Sequence, residues 1–306
     1  REEPAPMIET FDYVVVGGGS AGCIVAAELS ADPSVRVLLL ERGDDALEHP
    51  ETLRADGYKD AFANDALVLE RFSVHGERWG SRRLFMGSGH GLGGSGNING
   101  MVYTRGAKVD YDAFPKGWRW ADVAPDFEQI ERELRPQPRA PTTFTEVCLD
   151  AAEAAGFARS SDLNDGDLSG VLGYEHMNYE GEGRRSSYVA FLQPALGRDN
   201  LIVRTNAKVE RLTVDERGVT GVRYAWEGAD HEARAAREVA MCAGALETPR
   251  ILMLSGIGPS GALRHVGLPA VHDVPGVGEN LHDHPNVCLF FRGQREVDCN
   301  YPQLYG

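Results

Sequence analysis

The chain is short of basic residues. Its 31 lysines and arginines face 46 aspartates and glutamates, a net charge of −15. Nucleic acids and anionic membranes are bound through basic patches, so this balance argues against both as partners. Two arginine pairs, Arg82–Arg83 and Arg184–Arg185, read as solvated faces. Cysteine is also scarce. Cys23, Cys148, Cys242, Cys288 and Cys299 form no Cys-x-x-Cys pair and no metal-ligand spacing, and nothing in them demands an oxidising compartment. Cys23 and Cys242 lie in apolar surroundings and read as buried thiols. No apolar run approaches the roughly 18 residues of a membrane span. The acidic opening REEPAPMIET is not a signal peptide, so a cytoplasmic protein is expected. Because residue 1 is Arg and not Met, processing is expected too, and a removed leader is compatible with it.

What the chain has in excess is glycine, 36 of 306 residues, against a usual share of about 7%. The glycines cluster without a repeat, as in a backbone shaped around a ligand. Hydrophobic and charged contents of 42% and 25% are those of an ordinary globular protein with ample length for a core.

The chain is organised around residues 11–41, FDYVVVGGGSAGCIVAAELSADPSVRVLLLE. Tyr13 to Val16 is a short Val-rich run that reads as a buried parallel strand. It ends in Gly17, Gly18 and Gly19, followed by Ser20, Ala21 and Gly22, which satisfies Gly-x-Gly-x-x-Gly. Gly17 permits the tight turn, Gly19 lets a pyrophosphate approach the backbone, and Gly22 lets the next helix pack against the strand. That helix, over 21–30, aims the free N–H groups of its first turn at the phosphates. A second strand, Val35 to Leu40, ends in Glu41, where an acceptor for a ribose hydroxyl belongs. Strand, glycines, helix, strand and acid in this order predict a dinucleotide site.

Further along, a hairpin is expected around His75 to Arg83. The segment MGSGHGLGGSGNINGMVYTRG, Met86 to Gly106, carries too many glycines for a helix or strand. It reads as an extended loop laid against a flat ligand and turning helical near Asn97 to Tyr103. Asp110 to Arg135 is predicted to be one amphipathic helix, stopped by Pro136 and Pro138. A second helix is expected from Phe144 to Ala155, stopping at Gly156, and 160–186 reads as surface loop. Leu201–Val203, Ala207–Val214, Val219–Trp226 and His231–Ala235 read as a meander. Arg237 to Ala243 reads as a fresh strand returning to the parallel sheet. A helix is then expected to start at Thr248–Pro249, with Thr as N-cap, and to break at Ser255–Gly256. The cluster His282, Asp283 and His284 has no third ligand at metal spacing, so no metal is expected. No nucleophile elbow for a hydrolase occurs either.

Taken together, five collinear stretches resemble one family, the FAD-dependent glucose–methanol–choline oxidoreductases. They are VVVGGGSAG with Glu41 and Gly43, GLGGSGNINGMVYTRG, GWRWADVAPDFEQIE, CAGALETPRILMLSGIG and PGVGENLHDHP. The resemblance implies an α/β, Rossmann-like FAD-binding fold with an inserted β-meander, over 11–285, to which 145–200 adds helices and loops toward the substrate side. Residues 286–306 would begin an antiparallel-sheet substrate domain. It further implies FAD bound by Gly17, Gly19, Ser20, Ala21, Gly22, Glu41 and Arg42, and by Gly93, Gly94, Asn97, Asn99, Gly100, Met101 and Val102 near the flavin ring. Val209 would meet the adenine through its backbone. The His–Asp–His cluster would then be a structural joint near the cofactor. Ser88 and His90 stand where the family commonly has basic residues. Ile98 stands where some members carry a histidine bonded to the flavin, so FAD is expected to be non-covalent.

The activity implied is oxidation of a small-molecule alcohol by hydride transfer to the flavin. A lyase or photodecarboxylase on the same scaffold, and a cofactor-binding fragment inert by itself, are the alternatives. The family's catalytic histidine and its partner are expected beyond Gly306, so no catalytic residue is placed here. The run CLFF within Val287 to Phe291 is expected to be an apolar strand. Its lack of a partner strand leads to the expectation of a second polypeptide that carries the rest of the enzyme.

Overall fold

The computed structural model describes residues 8–73, 83–284, 287–298 and 303–306, so the expected hairpin at His75 to Arg83 falls largely outside them. The described residues form two compact units, one built from those up to Ile98 and from Ser186 to His284, the other from Asn99–Arg185 and those after His284. The expected FAD-binding domain over 11–285 takes in nearly the whole first unit and the 99–185 part of the second.

The first unit is a six-stranded sheet. Its chain order runs β1 (Ile8–Val16), α1 (Ser20–Leu29), β2 (Val37–Leu40), β3 (Leu201–Arg204), β4 (Lys208–Asp215), β5 (Gly218–Trp226), β6 (Ala229–Met241) and α2 (Gly244–Leu254). In space the strands lie in the order β3-β2-β1-β6-β5-β4. β1 pairs in parallel with β2 and β6, and β2 with β3, while β4, β5 and β6 pair antiparallel. The sheet's parallel centre is buried on both faces, successive side chains pointing to opposite sides. Val15, Val37 and Leu39 pack with Cys23, Ala26 and Ala27 of α1 and with Tyr188 and Leu192. Val14, Val16, Leu38 and Leu40 pack on the other face with Val209, Leu212, Tyr224 and Ile251. This is why β1 and β2 read as unbroken apolar runs.

Three expectations are corrected here. Leu201–Arg204 does not belong to the meander. It extends the parallel sheet, in register with Val37–Leu40, a short apolar run whose partner local pattern cannot reveal. His231–Ala235 and Arg237–Ala243 are not separate strands but parts of the one strand β6. Its early residues, Ala229–Arg234, close the meander against β5, and from Glu232 on it runs beside β1. A bulge between Phe11 and Tyr13, facing Ala235 and Glu238, absorbs the irregular stretch that looked like a break. The helix expected from Thr248 begins at Gly244 instead. Pro249 sits inside it and removes one backbone hydrogen bond, the one Ala245 would have accepted.

The second unit is made of small pieces. Val102–Tyr103 and Gln137–Pro138 both pair antiparallel with His176–Met177, and Leu304–Tyr305 pairs antiparallel with Gly173–Tyr174. Thr143–Ala154 is helical, close to expectation. The single amphipathic helix expected over Asp110 to Arg135 is two, Lys108–Asp112 and Trp120–Leu134, because Pro115 and Gly117 (φ 93°) turn the chain between them. Near Asn97 only a short 3-10 helix forms, Gly94–Asn97, and it does not continue to Tyr103. Met101 has φ 64°, which no right-handed helix accommodates, and the next two residues are drawn into a strand. Residues 160–186 are likewise more structured than a surface loop, with strands at Val171–Tyr174, His176–Met177, Tyr179–Glu180 and Gly183–Arg184. Val287 to Phe291 forms no strand, and Phe290 and Phe291 are 92% and 89% exposed. No helix of the described residues is long and apolar enough to cross a membrane.

Candidate functional site

The first unit holds a cavity of about 850 Å³, near the upper end of the roughly 300–1,000 Å³ usual for small-molecule sites. Its floor is the carboxyl end of the parallel strands, where Val16, Leu40 and Met241 end and the chain turns away. Gly17, Gly19, Ser20 and Ala21 line it, as do Glu41, Arg42, Gly94 and Val209.

Each glycine of the first turn is explained differently. Gly17 has φ 98°, and a Cβ there would lie 2.6 Å from the carbonyl oxygen of Cys242. A Cβ on Gly22 would come within 1.9 Å of the Gly17 oxygen, so α1 could not close onto the turn. Gly19 is the informative one. Its φ of −71° suits any residue, and the nearest atom to an added Cβ is Gly94 Cα at 3.9 Å. Nothing among the described residues requires glycine at 19, and the space beside it is the cavity. A ligand that lies against the backbone there accounts for it. α1 begins at Ser20 with no side chain capping its first turn, so its free N–H groups are available to an anion there.

Glu41 carries a role that the pattern did not reveal. Its carboxylate accepts the Gly18 N–H at 2.7 Å, the Gly43 N–H at 2.9 Å and the Gly91 N–H at 3.3 Å. It therefore ties the first glycine turn to the second glycine segment, and the Gly93 N–H donates to the Gly18 oxygen at 2.8 Å to complete the seam. Gly94 lies against Gly19 so closely that a Cβ on it would be 2.8 Å from Gly19 Cα. Two glycine clusters far apart in the sequence thus form one wall. The buried carboxylate keeps a further lone pair on the oxygen that faces Gly18, which can accept a hydrogen bond from a ligand.

Several predicted residues are not in the lining. Gly22 packs beneath it. Gly93 (φ 92°) and Asn97 stand behind the wall, Asn97 donating to the Leu92 carbonyl at 2.9 Å and itself 2% exposed. Asn99, Gly100, Met101 and Val102 belong to the second unit. There the Asn99 carbonyl and side-chain oxygens each accept from Arg184 at 2.8 Å, and the side-chain oxygen also accepts the Met101 N–H at 3.0 Å. Arg184 is 2% exposed and its guanidinium pKa is pushed down to about 10 by burial, so the reading of Arg184–Arg185 as a solvated face is wrong for Arg184.

Other residues in the lining were not foreseen. Lys208, Cys242, Gly244, Glu247 and Thr248 contribute from the ends of β4, β6 and α2, Arg71 from the segment before the second glycine cluster and Ser88 from the start of that cluster. Leu281 reaches the cavity as well, together with His282 and Asp283 of the cluster read as a joint near the cofactor. The quoted run CAGALETPRILMLSGIG was the available signal for 242–248, although no single residue in it had been assigned. Arg71 had no local signal.

A parallel sheet with a glycine turn, a helix N-terminus and a terminal acid around one cavity defines a dinucleotide-binding protein, and the residues fit FAD. Residues 11–286 match the family described as GMC oxidoreductase, and the chain belongs to that family, one of FAD-dependent oxidoreductases. Its relatives include the oxygen-dependent choline dehydrogenase of Ectopseudomonas mendocina, 34% identical over 97% of this chain and 57% of that protein. Among solved structures, pyridoxine 4-oxidase from Mesorbium loti superposes with a TM-score of 0.78 at 26% identity, covering 87% of this chain and 55% of that one. The formate oxidase of Aspergillus oryzae RIB40 gives 0.79 at 25%, covering 92% and 53%. The chain thus spans little more than half the length of the relatives it matches. In the choline dehydrogenase the matched portion and the remainder form one polypeptide, and the expected second chain finds no support there.

Proposed function

We propose that this chain binds FAD non-covalently and serves as the cofactor-binding portion of an oxidoreductase acting on an alcohol CH–OH group. The observation that carries the cofactor assignment is the open space at Gly19, a glycine that neither backbone conformation nor neighbouring atoms demand. In this reading the first turn of α1 and Arg42 face the pyrophosphate, Glu41 the ribose, and the backbone at Val209 the adenine. Gly93 and Gly94 hold the second glycine segment in place, as Asn97 does from behind. Asn99, Gly100, Met101 and Val102 are assigned to the flavin end through the family resemblance. Bound FAD supplies the acceptor for the hydride that leaves the substrate carbon.

The chain's own residues bind, orient and shield. The closed seam of Gly18, Glu41, Gly91 and Gly93 is held by the protein's own hydrogen bonds, which lowers the cost of ordering it on binding. Glu41 repels a 2′-phosphate, which favours FAD over NADP. No residue of the chain is assigned as the base that takes the hydroxyl proton. Since the chain spans 57% of a choline dehydrogenase to which it is similar, a second reading is that it loads FAD yet does not turn over by itself.

The test is the purified chain. Its visible spectrum and the cofactor released on heating identify the nucleotide, and anaerobic addition of small alcohols, choline among them, reads bleaching. Release of a nicotinamide nucleotide, or of nothing, would reject the FAD assignment. FAD without bleaching by any alcohol would leave the second reading standing and reject turnover by this chain.

A further inference from the structure

Within the cavity, Glu247 is gripped by three guanidinium groups. One carboxylate oxygen accepts from Arg71 at 2.5 Å, and the other lies 3.3 Å from Arg250 and 3.5 Å from Arg42. The Arg71 guanidinium also donates to the Ser88 hydroxyl at 2.8 Å. Arg42, Arg71, Ser88 and Glu247 all line the cavity. The side chains of Arg71 and Glu247 are 22% and 15% exposed, which shields the pair from much of the solvent screening that weakens surface ion pairs. Arg42 makes the longest of the three contacts and is the most exposed of the cavity-lining pair that reaches Glu247, at 32%.

A carboxylate in this position is a problem for an anionic ligand. Burial alone would favour the neutral acid at Glu247, but the hydrogen bond from Arg71 and the charges of Arg71, Arg250 and Arg42 hold its pKa below the usual carboxylate range. It is therefore ionised in the same cavity that is to receive a pyrophosphate. If Glu247 had only Arg42 and Arg250, it would draw Arg42 in and spend that cation on itself. With Arg71 seated on its first oxygen, the charge is already met, and Arg42 can turn to a ligand. Ser88, where the family resemblance led to an arginine, is here the hydroxyl that steadies the guanidinium arriving from position 71.

We infer that Arg71 is a positioning residue of the cofactor cavity: by neutralising Glu247 it removes a repulsion toward the cofactor's phosphates and frees Arg42 to meet them. This rests on the FAD reading above. The inference also carries a particular asymmetry. Removing the arginine harms binding, whereas removing the carboxylate does not, and removing both repairs the harm of the first.

The experiment strips flavin from the purified chain and titrates FAD by fluorescence, with the melting temperature of each flavin-free variant measured alongside. Arg71→Ala is expected to weaken FAD binding about ten-fold, equivalent to about 1.4 kcal/mol. Glu247→Gln is expected to bind at least as tightly as the parent, and Arg71→Ala with Glu247→Gln to recover most of the loss. Raising salt should narrow the gap between Arg71→Ala and the parent, since the repulsion is electrostatic. Unchanged affinity in Arg71→Ala, or a double variant no better than Arg71→Ala, overturns the inference. So does an affinity loss that simply tracks a lower melting temperature. If Arg71→Ala does not fold, Glu247→Gln decides alone, because a merely structural brace predicts weaker binding there. A parent chain that takes up no FAD rejects the cofactor reading itself, and this inference with it.

Discussion

The carboxylate of Glu41 accepts the backbone N–H of Gly18 at 2.7 Å, so the acid that ends the second strand holds the turn that ends the first. Its other oxygen serves Gly43 and Gly91. Replacing it by an amide must set an NH₂ group against at least one of these N–H donors. Glu41→Gln is expected to lose about 1–2 kcal/mol of stability and to weaken FAD binding as well. If urea denaturation shows a stability equal to the parent's while binding falls, Glu41 is a ligand group only and the seam carries no energy.

Gly19 and Gly22 should part company on substitution. Gly19→Val places its side chain in the cavity at an ordinary φ, so the melting temperature of the flavin-free protein should hold while flavin loading is lost. Gly22→Ala drives a methyl into the Gly17 carbonyl, and crowding of this kind costs about 1–3 kcal/mol or more. Full flavin content in purified Gly19→Val would show that the cavity wall has been assigned to the wrong ligand.

Denaturation should set the flavin free. Ile98 is 6% exposed and packs with Ala61, Leu67 and Val68, an aliphatic side chain with no nucleophile to offer. After acid precipitation the yellow colour is expected in the supernatant. Colour that stays with the polypeptide would show a covalent link made elsewhere.

Glu175 should make stability fall with rising pH. It is 4% exposed, one carboxylate oxygen has no hydrogen-bond partner among the described residues, and burial pushes its pKa up to about 7. The unfolded chain releases that proton in the usual carboxylate range, so between there and about 7 the folded state holds more protons. Its stabilising contribution is full below that window and is lost as pH rises through it. Glu175→Gln should flatten the dependence of the melting temperature between about pH 5 and 8. An equal slope in parent and variant would place the titrating group elsewhere.

The sequence by itself determined the local logic of this protein. Tyr13 to Glu41 could be read as strand, turn, helix, strand and acid because every signal lies within a few residues of the element it specifies, and those elements stand where they were read. The apolar runs of β1 and β2 announced burial on both faces for the same reason. Only the tertiary structure decided what depends on distant partners. That 229–241 is one strand serving two neighbours is set by β5 on one side and β1 on the other, not by its own pattern. Arg184 looks like any surface arginine until Asn99 is seen to occupy its guanidinium. Arg71 and Glu247 stand 176 positions apart. Their meeting in one cavity follows from folding alone, since a charge in a sequence says nothing of which opposite charge it will face, and electrostatic energy depends on that distance.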